Sequence, residues 1–284
     1  MNYKNSIWAK RILQLQHDDG SWGYFHTLSN PSPKQPMTTE QALRRLEILG
    51  FTYDDKPIRT AVDYLHHCLT GKIQLPDREE KIHNWKIFTD LMLAAWIRRF
   101  ISNDKTANDI AEKWSEIINA AFKNKVYNND LYVTTYRNLF GIKPRGDRLV
   151  DFVSFYQVSL LTNELNKDLE EAYFDYILEH ETGIYYIYNK RLTIFPEKFR
   201  SKETGYYIRA IELLAKYDNP ELKKKLMFAA DWLQENKTEE GKWDLGIKSK
   251  DGINFPLSDS WRNENDRIDD CTYRIHSIVN KIIK

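Results

Sequence analysis

Apolar positions recur along this chain at the three- and four-residue spacing of a single helix face, almost from end to end. Trp8, Ile12 and Leu15 mark a first helix, and Ala42, Leu46 and Leu49 a second that stops at Gly50. Asp54 and Asp55 ahead of Pro57 predict the capped start of a third, with Ile58, Ala61, Val62, Leu65 and Leu69 on its stripe and its end near Gly71. Trp85, Phe88, Met92 and Trp96 define a fourth; Ile110, Trp114, Ile117 and Ala121 define a fifth. Phe152, Tyr156 and Leu160 lie on a later one, Leu222, Leu226, Ala229 and Leu233 on another, and Ile268, Thr272, Ile275, Val279 and Ile282 on the last. Strand signals are confined to residues 184–195, where Tyr185 to Tyr188 and Leu192 to Ile194 flank Asn189-Lys190 as a short β-hairpin.

The helices also resemble one another. Gln16 is followed by three residues, Gly20, one residue and Trp22; Lys237 is followed by three residues, Gly241, one residue and Trp243. A glycine that tolerates positive φ ends the helix, and the indole two residues later folds back as an apolar plug. Ala61-Val62-Asp63-Tyr64-Leu65 resembles Ala229-Ala230-Asp231-Trp232-Leu233, with Ala172 to Ile177, Gly183 and Tyr185 as a third copy. Leu46-Glu47-Ile48-Leu49 parallels Ile211-Glu212-Leu213-Leu214. The repeating unit is a helix pair of ~45 residues, of which about six would fit, and that favours a closed barrel over an open solenoid. The repeat is too worn between Ser102 and Arg148 for the units to be counted.

The Gln16-to-Trp22 turn and its copy resemble the QW repeat of the squalene cyclase, terpenoid cyclase and protein prenyltransferase β-subunit superfamily. The likeness covers residues 1–70 and 200–245 best. It implies an all-α fold, an α/α-toroid in one domain over 1–284, with inner helices near 38–49 and 203–217 and outer helices near 57–69 and 219–236. It also implies an isoprenoid or similar hydrophobic or amphiphilic small molecule in a central cavity. The chemistry of those families is not carried over with the repeat. The Asp-rich motifs of class I and class II cyclases are absent, which argues against squalene or hopene cyclisation. Asp269 and Cys271 match the Asp-x-Cys pair with which the prenyltransferases hold zinc, but His276 is five residues further on and points to a different face, so no metal or cofactor is expected.

Composition bounds the partners. Lys and Arg number 42 against 41 Asp and Glu, a net charge of +1 that suggests neither nucleic acid nor an anionic membrane. No run approaches a membrane span or a signal-peptide core, two cysteines make no disulfide framework, and a cytoplasmic location is expected.

Candidate site residues remain. Asp90 sits in an otherwise apolar helix, where burial would raise its pKa toward acid catalysis unless Arg98, Arg99 or another segment neutralises it; Asp151 is comparable. Arg267, Asp270 and Arg274 fall at helical spacing as an ion-paired ladder, with Arg262 and Trp261 beside it; turned inward, that face would take a phosphate or carboxylate. Glu40 and Glu203 lie at the starts of the inner helices, beside threonines suited to capping, and Tyr206 and Tyr207 could wall a cavity. Two alternatives stay open: a carbohydrate-active barrel in which Glu40, Asp90 and Glu203 meet across a cleft, and a helical-repeat binder without catalysis.

Overall fold

The computed structural model describes residues 3–26, Pro33 and 36–284. Among these residues the fold is all-α: thirteen α-helices, two single 3-10 turns, and isolated β-bridges in place of a sheet. In order they are α1 (Ile7–Gln14), α2 (Thr39–Ile48), α3 (Lys56–Leu69), α4 (Trp85–Phe100), α5 (Lys105–Ala121), α6 (Asn129–Phe140), α7 (Asp147–Val150), α8 (Phe155–Leu160), α9 (Lys167–Glu179), α10 (Lys202–Leu214), α11 (Pro220–Lys225), α12 (Met227–Glu235) and α13 (Glu264–Ile283).

Local chemistry sets the helix starts. Thr38 caps α2 through a reciprocal box with Gln41, and Ser201 caps α10 through the Thr204 amide. Asp55 occupies the cap position of α3 but makes no side-chain bond to that helix's amides; its carboxylate takes Lys4 Nζ at 2.7 Å and the Thr52 amide instead. α4 is the apolar hub. Its residues Leu91 to Ile97 are all buried, because it packs against α3 on one side, α5 on another and α8 on a third. α10 packs against α8 and α13, α13 against α11 and α12, and α1 against α2. The stretch expected as one outer helix over 219–236 breaks at Leu226 into α11 and α12.

The two tryptophan turns are the same structure twice. Trp22 Nε1 donates to Ile12 O at 2.7 Å, and Trp243 Nε1 donates to Leu233 O at 2.6 Å, in each case ten residues back. The Trp22 amide donates to Thr39 Oγ1 and the Trp243 amide to Thr272 Oγ1, on the helix that follows. The His17 amide closes on Ser21 O as the Thr238 amide closes on Lys242 O, and Gly20 and Gly241 both take positive φ. Each indole is buried between the helix before it and the helix after it. Only the first residue of the motif changes its work: Gln16 Nε2 bonds Gly20 O and Pro57 O, whereas Lys237 places its ammonium 4.8 Å over the Trp243 ring.

The expected hairpin over 184–195 does not form. The amides of Ile187 and Tyr188 both return to Ile184 O, so the chain turns back within four residues, before Asn189-Lys190 can act as a hairpin tip. Tyr186 takes φ +71 in that turn, and only the bridges Ser154 to Tyr185 and Ile184 to Tyr188 remain.

Trp22→Ala and Trp243→Ala are each expected to lose ~3–5 kcal/mol in urea unfolding, as large-to-small core changes do. The glycines separate the two turns. A Cβ on Gly20 would meet Thr60 O at 2.3 Å, while one on Gly241 meets nothing within 4 Å. Gly241→Ala therefore carries only the left-handed backbone cost of ~1–2 kcal/mol, and Gly20→Ala is expected to cost clearly more; equal losses would contradict this packing.

Candidate functional site

Charged side chains from four helices, α2, α4, α10 and α13, join in one largely buried network. On α2, Glu40, Arg44 and Glu47 follow one another at helical spacing. Glu40 is fully buried, and its Oε1 accepts from Arg44 Nη2 at 3.2 Å, Trp96 Nε1 at 3.1 Å and Tyr156 OH at 2.9 Å. One turn further, Glu47 receives Arg99 of α4 in a two-pronged pair at 2.6 and 3.1 Å, and Lys216, just past α10, at 2.8 Å. Arg99 also donates to Ser159 Oγ on α8. From α10, Glu212 accepts Arg274 of α13 at 2.9 Å. Arg274 and Arg45 then donate to carbonyls of the segment 253–256, which ties α13 back to α2.

Burial and partners set the electrostatics. Burial alone would raise the Glu47 carboxyl, but Arg99 and Lys216 overcome it and hold the group well below the ordinary carboxylate range. Glu212 is likewise lowered: burial raises it and Arg274 more than reverses this. Burial lowers Lys216, and Arg99 adds to that effect.

Two cavities adjoin this network. A small one of about 150 Å³ is lined by Glu47, Arg99, Phe155, Arg209, Glu212 and Lys216, among others. It shares Arg99, Lys216 and Lys281 with a wider basin of about 750 Å³, formed where α4, α8, α10 and α13 end. Arg98, Lys223 and Lys284 also line the basin, and Asp218, paired with Lys223 at 3.6 Å, is the one acidic side chain among its described lining residues. Cations at helix C-termini offset the partial negative charge there, which accounts for part of this concentration. Elsewhere, a more apolar cavity of about 310 Å³ is walled by Trp8, Ile12, Leu15 and Met37, with Arg44 and Arg45 at its edge. An open groove is lined by Tyr185, Tyr186, Lys190, Glu203 and Tyr206.

The residues singled out from sequence are dispersed among these places. Arg267, Asp270 and Arg274 do share a buried face of α13, but the ladder between them is not formed. Arg267 pairs with Asp244 at 2.7 and 3.0 Å, Arg274 with Glu212, and Asp270 accepts the Leu257 and Ser258 amides and the Ser258 hydroxyl, which makes it an anchor for that loop. Arg262 is exposed. Trp261 is buried against Phe255 and donates to Ile247 O; Tyr207 is buried and donates to Leu192 O. Glu203 accepts Tyr188 OH and Lys190 Nζ, and lies with Tyr206 on the open groove. Asp90 is half-buried, and burial raises its pKa, but its neutralising partner is Lys86 one turn back at 2.5 Å; Arg98 and Arg99 are committed to Glu164 and Glu47. Asp151 is exposed and faces His180 at 3.3 Å. Glu40, Asp90 and Glu203 therefore do not face one another across a cleft.

Cys271 is buried, its thiol pushed up to about 12 by burial, and Asp269 faces Lys242. No three His, Cys, Asp or Glu residues converge on a common point among the described residues, and no helix among them is long and apolar enough to cross a membrane.

Sequence reasoning passed over Arg44, Glu47, Arg99, Arg209, Glu212 and Lys216. A signal for four of them was present. The parallel between Leu46 to Leu49 and Ile211 to Leu214 has a glutamate inside each copy, and three residues before each glutamate stands an arginine, Arg44 and Arg209. The chain matches no protein-family model, no curated protein and no solved structure.

Removing the central carboxylate tests the network. Glu47→Gln leaves the buried Arg99 guanidinium and the partly exposed Lys216 without their shared counter-charge and is expected to cost ~3 kcal/mol at neutral pH, mainly through Arg99. Because the folded-state value of Glu47 is depressed, its contribution is complete above the ordinary glutamate value of 4.5 and is lost as pH falls below it. Urea unfolding from pH 7 downward should thus show a shallower acid loss in Glu47→Gln than in the wild type; parallel curves would remove Glu47 from this role.

Proposed function

We propose that the chain is a single α/α-toroid that binds an anionic small molecule in the basic basin where α4, α8, α10 and α13 end. The ring arrangement is supported by the run of side-chain ties from α2 to α4, from α4 to α8, from Tyr217 just past α10 to Val158 O on α8, from α10 to α13, and through the segment 253–256 back to α2, and by the tryptophan turn that joins α1 to α2 and α12 to α13 in the same way. The ligand class rests on one observation: Arg98, Arg99, Lys216, Lys223, Lys281 and Lys284 line a basin of about 750 Å³ in which Asp218 is the one acidic side chain among the described lining residues, and of these cations Lys281 and Lys284 form no ion pair with a described carboxylate. Phosphate and carboxylate groups suit such a wall, because guanidinium and ammonium donors orient them by charge-assisted bonds.

A second reading, an amphiphile of the isoprenoid type, is favoured by the cavity of about 310 Å³, where Trp8, Ile12, Leu15 and Met37 offer apolar surface and Arg44 and Arg45 offer charge. In that reading the anionic head lies against the arginines and the tail against the rings.

Titration calorimetry with inorganic pyrophosphate and farnesyl diphosphate distinguishes them. The basin reading expects both to bind with a strong salt dependence and a Lys223→Ala, Lys281→Ala, Lys284→Ala variant to weaken both by about tenfold or more. The amphiphile reading expects farnesyl diphosphate alone to bind, with Leu15→Asp abolishing it. Failure of both compounds, or binding of pyrophosphate unaltered in the triple variant, would reject the basin.

A further inference from the structure

Arg209 is the charged group that the central network leaves over. It lies in the middle of α10, is 6 % exposed, and its Nη1 is buried without a hydrogen-bond partner. It forms no ion pair with a described carboxylate, and the charges that act on it most are cationic: after burial, Arg44 and Arg274 push its pKa down, and Glu47 opposes them only in part. Arg44 and Arg274 each keep a buried Nε without a partner as well, though both hold a carboxylate through another nitrogen.

The repeat shows what is missing. Aligning Leu46-Glu47-Ile48-Leu49 with Ile211-Glu212-Leu213-Leu214 pairs Thr39 with Thr204, Arg44 with Arg209 and Glu47 with Glu212. On α2 the residue one turn before the arginine is Glu40, which neutralises Arg44. On α10 the residue at that place is Gly205, which has no side chain to offer. A Cβ there would sit in ordinary van der Waals contact with Asp251 Oδ2 and Phe255, each at 3.8 Å, so that side of α10 is covered by the segment that carries Asp251 rather than by an acid of α10 itself.

Beside Arg209 is space rather than protein. The cavity of about 150 Å³ that it lines is flanked by Arg99, Lys216 and Lys281 and by two carboxylates, Glu47 and Glu212. Glu47 is shared by Arg99 and Lys216, and Glu212 is held by Arg274, so Arg209 and Lys281 are the lining cations without a counter-ion. A cavity of that size has room for roughly five waters at ~30 Å³ each, enough for a phosphate-sized group and residual solvent. We infer that Arg209 is the floor of an inner seat for a compact dianionic oxyanion, of phosphate or phosphoryl type, with Lys216 and Lys281 closing over it from the basin. This rests on the basin reading above and specifies the part of the ligand that goes deepest. Two uncompensated cations call for a dianion rather than a monocarboxylate, and a tetrahedral group can accept from donors that converge from α10 and α13 at once.

A structural arginine and a ligand-binding arginine predict opposite signs. Replacing a buried, unpaired charge by an apolar side chain of similar length relieves a desolvation cost. Arg209→Met is therefore expected to raise Tm by about 2–8 °C in phosphate-free buffer, a stability gained at the expense of the site. Differential scanning fluorimetry at matched ionic strength should show the wild type stabilised saturably by inorganic phosphate and sulfate and not by acetate. Arg209→Met should lose that response, weakening phosphate at least tenfold, and Arg209→Lys should retain part of it. Phosphate ³¹P line broadening on the wild type checks binding without any variant. A lower Tm for Arg209→Met in phosphate-free buffer, or a wild type indifferent to phosphate by both methods, overturns the inner seat. Pyrophosphate binding that survives Arg209→Met but is lost in the Lys223, Lys281, Lys284 variant overturns the seat while leaving the basin, and a wild type that responds to neither phosphate nor pyrophosphate overturns both.

Discussion

The carboxylate of Glu47 is the point at which the centre of this molecule is held together. Arg99 and Lys216 both end on it, so α2, α4 and the end of α10 cannot separate without taking two cations from the carboxylate they share, one of them, Arg99, largely buried. Burial of charge is costly in itself, and a buried pair is weak evidence for stability against an apolar alternative. What it does impose is mutual dependence. The apolar faces of α4 and α10 are turned toward neighbouring helices, with Leu91 to Ile97 and Ile208 to Leu214 almost wholly buried, so the positions left for the centre are those that the apolar packing does not use. Charge there specifies which helix ends meet, while the apolar faces supply the driving force.

The tryptophan turns act independently of that centre. Each fixes an indole by one bond back to the preceding helix and one amide bond forward to the next, so the geometry of a helix pair is set locally before any central charge is paired. The agreement of three separate hydrogen bonds in two turns more than two hundred residues apart in sequence (Trp22 to Trp243) is beyond what a chance string match would produce. The divergence of their first residue is equally informative: Gln16 reaches a second helix, Lys237 only its own tryptophan.

How legible the chain was depended on how far away the partner lies. Helices with a full apolar stripe, such as α3 and α5, could be read because periodicity is a local property. α6 could not, since Tyr132 and Tyr136 are its only buried residues and two positions make no stripe. The run Tyr185 to Tyr188 has the composition of a strand, but the positive φ at Gly183 and Tyr186 and the returns to Ile184 O curl it into a turn. On α13 the common face of Arg267, Asp270 and Arg274 was visible from spacing alone. Their partners were not, because Asp244 and Glu212 lie 23 and 62 residues away and spacing carries no information about them. The same limit hid Arg99 and Lys216, whose shared partner Glu47 lies 52 and 169 residues away.

The comparison of α2 with α10 bears on why the centre is polar at all. If charge served only to specify which helices meet, the two copies would be expected to neutralise themselves alike, since each carries the arginine and the glutamate in the same places. They do not. In α2, Glu40 gathers Arg44, Trp96 and Tyr156 on one oxygen and fills its surroundings with protein. In α10, glycine stands where that acid would be, packed beside Asp251 and Phe255, and Arg209 one turn on lines a cavity that shares residues with the basic basin. An arginine buried at this cost, with no carboxylate one turn before it and a cavity beside it, is a poor arrangement for stability alone, and natural sequences depart from local rules mainly at functional sites. The asymmetry between two copies of one helix therefore sets α10, rather than the charged face of α13, as the wall of the proposed anion seat.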